Sequence, residues 1–249
     1  MDDSVRAAGG AGPGLAGDAR RLAISIVLDG RLDAGRAAEV ARLVARLGLD
    51  GVWFRQPPLT GTGPADVAAL LRELSAAQVR PGLIVPGELA DQELADLVAA
   101  GKIRLARPGA GPAAVFVPAG SGHDLDRSVA AAARLAAGRP VLVEVPISVG
   151  RTAAEAHARA DSEELFALVG HPARSGLFGT LEECQAGAAR LAQAGATELV
   201  CYLPHSADLI DVLAQLRAIA VGAGVLRPGE PPSSPPPPPA GWGGRRPPG

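Results

Sequence analysis

An α/β fold, with helices packed around a parallel sheet, is what this sequence predicts, and three observations predict it. Short continuous apolar runs alternate with helical patterns along most of the chain, as strands buried on both faces require. About seven or eight such units fall within residues 21–222. With 249 residues, 47% of them hydrophobic, the chain can bury one sizeable core. A parallel barrel of this kind, the TIM-type (β/α)8 barrel, takes roughly 200–250 residues. A doubly wound open sheet is the alternative, but no Gly-x-Gly-x-x-Gly follows the first strand, which argues against a dinucleotide-binding version.

The elements follow in order. RLAISIVL at 21–28 is a continuous apolar strand. Residues 34–47 have helical periodicity, with Val40, Leu43, Val44 and Leu47 on one face, and Gly48 stops them. GVWF at 51–54 is a short buried strand. A helix over 64–78 opens on Pro64 and turns Val67, Leu70, Leu71 and Leu74 inward. Residues 82–85 form a strand, 89–100 a helix closed by Gly101, 102–106 a strand and 114–117 another. A helix over 125–137 stops at Gly138, and the strand 141–149 follows. Thr152, with Glu155 three residues on, caps a helix to 168. Thr180 and Glu183 form a second capping box, opening a helix that ends at Ala194-Gly195. The strand 198–203 and a helix from 207 to about 221 complete the pattern. Residues 1–20 are expected to be a disordered lead. Residues 223–249, rich in Pro and Gly, are expected to be a disordered tail, because they bury too little apolar surface to offset chain entropy.

Composition excludes several roles. Lys and Arg number 24 against 26 Asp and Glu, so neither nucleic acid nor an anionic membrane surface is the expected partner. No apolar run approaches the ~20 residues of a membrane helix, and the N-terminus lacks a secretory pattern. Cys184 and Cys201 have no metal-ligand spacing and read as reduced, buried thiols, which fits a cytoplasmic setting.

Three segments carry a resemblance: AEVARLVARLGLDGVWF at 38–54, EVPISVGRTAAEAHARAD at 144–161 and GTLEECQAGAARLAQAGATELVCYLP at 179–204. Together and in this order they resemble the bacterial luciferase-like family of flavin- or deazaflavin-dependent monooxygenases and oxidoreductases. The resemblance implies a barrel with FMN or a deazaflavin at the C-terminal strand ends, acting on a small organic substrate. It leaves a dimer open. The chain departs from the family pattern twice. Arg55-Gln56-Pro57 stands where the family has an acidic-His pair, and the section after Leu105 is shortened. The alternative is therefore a shortened, non-catalytic barrel relative that binds a ligand or a sister subunit.

The cofactor candidates sit at strand ends. Ala119-Gly120-Ser121-Gly122 follows the strand AVFVP, and its small residues let backbone N–H groups reach a phosphate. The same loop would suit a phosphorylated substrate in another barrel enzyme, and a plain turn capped by Asp124 is the bland account. Ser148 and Arg151 close the 141–149 strand on the same face. His123, beside the loop, is the candidate for proton transfer, and His205 follows the late strand. Asp29 and Glu88 are candidate carboxylates at the mouth. His157 falls within a helix and His171 in a loop. No residue set reads as a metal site.

Overall fold

The computed structural model describes residues 22–28, 34–56, 67–76, 79–89, 91–111, 113–120, 124–169, 176–204 and 208–223. The expected disordered ends and the loop residues Asp29, Ser121, Gly122, His123, His171 and His205 lie outside the described residues.

The first half alternates strand and helix: β1 (Ala23–Leu28), α1 (Ala34–Arg46), β2 (Gly51–Arg55), α2 (Val67–Ala76), β3 (Arg80–Ile84), α3 (Gln92–Ala99) and β4 (Arg104–Ala106). A two-residue strand β5 (Gly109–Ala110) then precedes β6 (Val115–Val117) and α4 (Leu125–Ala136). The long β7 (Val141–Val149) leads through α5 (Ala153–Ser162) and α6 (Glu164–Leu168) to the short β8 (Leu177–Gly179). The chain closes with α7 (Leu181–Ala194), β9 (Glu198–Tyr202) and α8 (Leu209–Gly222).

These strands form a nearly closed parallel barrel of the TIM type. The order is β4-β3-β2-β1-β9-β7-β6-β5, and β8 pairs with β7. First and last strands meet in register, with Ser25 opposite Val200 and Val27 opposite Tyr202. The path is open between β4 and β5. No helix separates β4 from β6, and β5 folds back antiparallel on β6. A parallel crossover ordinarily takes a dozen or more residues, and this short link cannot supply one.

On the other side β7 has two partners in turn. Its lower part, Leu142–Pro146, pairs with β9, and its upper part, Ile147–Val149, pairs with β8. The seventh strand of the barrel is thus reduced to three residues at the rim, which is why no strand pattern stood out before Gly179-Thr180.

Alternation along β7 sorts the core into two clusters. Val141, Val143, Val145, Ile147 and Val149 face the helical layer. Leu142 faces the barrel interior with Val27, Trp53, Ile84, Phe116, Val200 and Tyr202. Ala160 of α5 and Leu165, Phe166 and Val169 in and after α6 belong to this inner cluster, so their buried side chains turn to the interior side of the rim. The single helix expected over 152–168 is in fact two. Glu163 is extended, at φ −89° and ψ 106°, and that break redirects α6 so that Leu165 and Phe166 are buried.

Local chemistry explains the ends of the elements. Thr180 Oγ1 accepts from the Glu183 N–H at 3.3 Å, and Glu183 Oε2 accepts from the Thr180 N–H at 2.8 Å. Helix α7 stops at Gly195, whose φ of 111° suits glycine. Asp124 caps α4 by accepting from the Arg127 N–H.

Candidate ligand site at the C-terminal mouth of the barrel

Two polar layers cross the barrel interior. The lower one centres on Glu198, the first residue of β9. Its Oε1 accepts from Ser25 Oγ at 2.6 Å and from Trp53 Nε1 at 2.9 Å. Its Oε2 accepts from Arg104 Nη1 at 2.5 Å, and the Arg104 guanidinium lies 4.4 Å from the Trp53 ring centroid. Burial alone would raise the Glu198 carboxyl. The Arg104 charge and the hydrogen bonds outweigh it and hold this group below the usual carboxylate range. Room for the indole comes from Gly82, where a Cβ would lie 2.2 Å from Trp53. This layer plugs the N-terminal end of the barrel.

The upper layer lies nearer the C-terminal strand ends. Glu144, inward on β7, is the one charged residue in the run VLVEVPISV. Its Oε1 accepts from Arg55 Nη1 at 2.7 Å and from Tyr202 Oη at 2.6 Å. Its Oε2 accepts from the Ala119 N–H at 3.0 Å. Arg55 Nη1 also donates to Tyr202 Oη at 3.3 Å. Three elements therefore converge on the carboxylate that β7 carries: β2, the turn after β6, and β9. Desolvation and the Glu144 charge push the Tyr202 phenol well above its ordinary range, Arg55 opposing. Burial works to lower the Arg55 guanidinium, but Tyr202 and Glu144 together raise it.

Above this layer, on the same face of β7, Ser148 is fully buried, and its Oγ has no hydrogen-bond partner among the described residues. It stands in register with Phe178 of β8. Phe178 stacks on Phe166 at 5.9 Å and meets the edge of His157 at 5.8 Å. The rim on the β8 side is therefore aromatic and covered, while the β2 side carries the Arg55 guanidinium.

The residues singled out from sequence separate. Ser148 lies on the inner face at the rim. Gly120 is exposed in the turn beside Ala119, with φ +75°. Arg151 points to solvent, 93% exposed, and pairs with Glu155 at 3.4 Å. Glu88 is exposed, and His157 is half-buried on α5. Thr180 is used by its helix cap. Cys184 and Cys201 are buried free thiols. Burial, with Glu183 nearby, pushes Cys184 up to about 12, and burial near Glu198 raises Cys201 further. Among the described residues no His, Cys, Asp or Glu group fit to hold a metal is found, and no helix is long and apolar enough to cross a membrane.

Sequence reasoning missed Glu144, Tyr202, Glu198 and the role of Arg55. The available signal was a lone Glu inside an apolar strand, since a buried charge has to find a partner.

No family model and no curated protein matches the chain. Solved structures do. Riboflavin lyase (RcaE) with modified FMN and substrate riboflavin is 12% identical, covering 82% of this chain and 92% of its own, at a TM-score of 0.56. The coenzyme F-420-dependent tetrahydromethanopterin reductase from Methanopyrus kandleri is 12% identical over 81% of this chain and 97% of its own, at 0.47. Apo-MsnO8 is 16% identical over 82% and 99%, at 0.44. The likeness to riboflavin lyase is one of fold, and it joins the strand pairing in placing this chain among the TIM-type barrels.

Proposed function

We propose that this protein is a luciferase-like, flavin- or deazaflavin-dependent oxidoreductase of the monooxygenase type, acting on a small organic substrate at the C-terminal mouth of the barrel. The observation that carries the reading is the Ser148 hydroxyl, buried and unpartnered on the inner face at the rim. An unmade hydrogen bond at a buried group costs about 1–3 kcal/mol, so a polar ligand edge placed there recovers it. Two further features support the reading. The Ala119-Gly120 turn keeps small residues at the mouth, and a barrel of the same fold holds a modified FMN with riboflavin.

The donor set fits such a group. Ser148 offers a hydroxyl to a ring's polar edge, and the small-residue sequence Gly120-Ser121-Gly122 suits a phosphate. Phe166 and Phe178 wall the rim against water. The bound cofactor would supply the electron transfer. The chain's own part is to hold it, to close the barrel beneath it with the Arg55–Glu144–Tyr202 layer, and to keep that floor rigid.

A second reading has its own support. The link between β4 and β6 carries no helix, so the barrel lacks one of the walls on which a substrate site is ordinarily built. That favours a non-catalytic relative that binds a ligand or a sister subunit. Titration with FMN and with a deazaflavin separates the readings. The first expects quenching of cofactor fluorescence at micromolar concentrations, weakened about 2- to 10-fold by Ser148→Ala. Absence of binding by either cofactor would sink it.

A further inference from the structure

The Arg55 guanidinium is only partly used. Its Nη1 serves Glu144 and Tyr202. Its Nε–H and Nη2 hydrogens take no partner among the described residues. Among the described residues the buried unpartnered side-chain nitrogens are those of Arg104, so neither atom of Arg55 is among the enclosed ones. The side chain is 16% exposed at the C-terminal end of β2. Nε and Nη2 form the side-on edge of the guanidinium, the fork that matches two oxygens of a carboxylate or phosphate. In a planar trigonal group that edge faces directly away from Nη1. The cation therefore stands between Glu144 and whatever meets the free edge. Glu144 and Tyr202 fix the plane of the fork from behind. Glu144 also accepts the Ala119 N–H on its other oxygen, which holds the carboxylate in place behind Arg55.

We propose that the free Nε/Nη2 edge of Arg55 binds an oxyanion, a phosphate or carboxylate carried by the ligand, with Glu144 and Tyr202 as positioning residues. This deepens the proposed function by naming the ligand's charged group, yet it stands on the donor geometry alone. The oxyanion has two sources, the cofactor's phosphate or an anionic substrate. The experiment separates them.

The full chain is titrated with FMN and with riboflavin, which lacks the phosphate, at low and high salt. Its thermal unfolding is followed with inorganic phosphate and with succinate. Arg55→Lys, which keeps a cation for Glu144 but loses the fork, goes through the same measurements. If the oxyanion belongs to the cofactor, FMN binds about tenfold or more tighter than riboflavin, salt narrows the gap, and Arg55→Lys abolishes it while riboflavin affinity holds. If it belongs to the substrate, the two flavins bind alike. Phosphate or succinate then raises the unfolding temperature of the wild type and not of Arg55→Lys. Stabilisation by phosphate through Arg55, with no flavin bound, leaves this inference standing and removes the cofactor reading. Equal binding of the two flavins, with no anion raising the unfolding temperature, overturns the inference and leaves the cofactor reading intact. Anion stabilisation that persists undiminished in Arg55→Lys overturns it too. If Arg55→Lys fails to fold, Arg55→Gln, which keeps an N–H donor for Glu144 but loses the charged fork, takes its place in the same measurements, with the same outcomes.

Discussion

Tyr202 is the one tyrosine of the chain, so its ionisation can be read without assignment. Burial beside Glu144 holds its proton in the folded state. As pH rises past about 10 the unfolded chain releases that proton and the folded chain keeps it, so the folded state loses stability there. Tyrosinate absorbance should appear only as the protein unfolds in alkali, whereas in denaturant it should appear near pH 10. A reversible titration near 10 in the folded protein would contradict the Glu144 contact. Glu198 has the opposite sign. Its carboxyl is lowered in the folded state, so its stabilisation is in place at neutral pH and fades as pH falls below its ordinary value of 4.5. Glu198→Gln leaves the Arg104 guanidinium without its counter-charge. It should cost about 2 kcal/mol, read from urea unfolding at neutral pH. The Arg104 side chain is 30% exposed, which holds the cost near the low end.

At the level of elements, Thr180→Ala and Gly82→Ala test two different constraints. Loss of the Thr180 cap should cost about 1 kcal/mol of stability and leave flavin affinity unchanged, because the Thr180 hydroxyl is used by the Glu183 N–H at the start of α7. Gly82→Ala drives a methyl into the Trp53 ring. It should cost about 1–3 kcal/mol and shift Trp53 fluorescence. The helix stop at Gly195 and the apolar run at 198–203 were readable because capping chemistry and strand hydrophobicity are local. The two polar layers were not. Their partners lie 89 residues apart for Arg55 and Glu144, and 173 for Ser25 and Glu198. No short-range pattern records that distance. The break at Glu163 escaped for a related reason. Leu165 and Phe166 are drawn to the inner cluster, and that pull is tertiary. Ser148 was legible from its place at a strand end. The Arg151 pairing with Glu155 depends on an i,i+4 geometry that competes with any ligand.

For the molecule as a whole, limited proteolysis should remove the Pro-rich tail after about residue 224 and leave a core that unfolds cooperatively. A trimmed core without a cooperative transition would count against the domain boundaries at 21 and 222. Hydrogen exchange should be slowest in β1 and β9, each paired on both sides, and faster in β4 at the open end of the sheet path.

That opening divides the barrel into two runs of strands: β1 to β4 in the first part of the chain, β5 to β9 in the second. Across it no strand pairing joins the runs among the described residues, while β1 and β9 join them over five residue pairs on the far side. A chain cut near residue 107, between β4 and β5, would lose little sheet pairing, and its two pieces would still carry the complementary edges that meet at β1 and β9. The molecule is thus suited to fragment complementation. The upper polar layer would report reassembly, because Arg55 comes from one piece, and Glu144 and Tyr202 from the other.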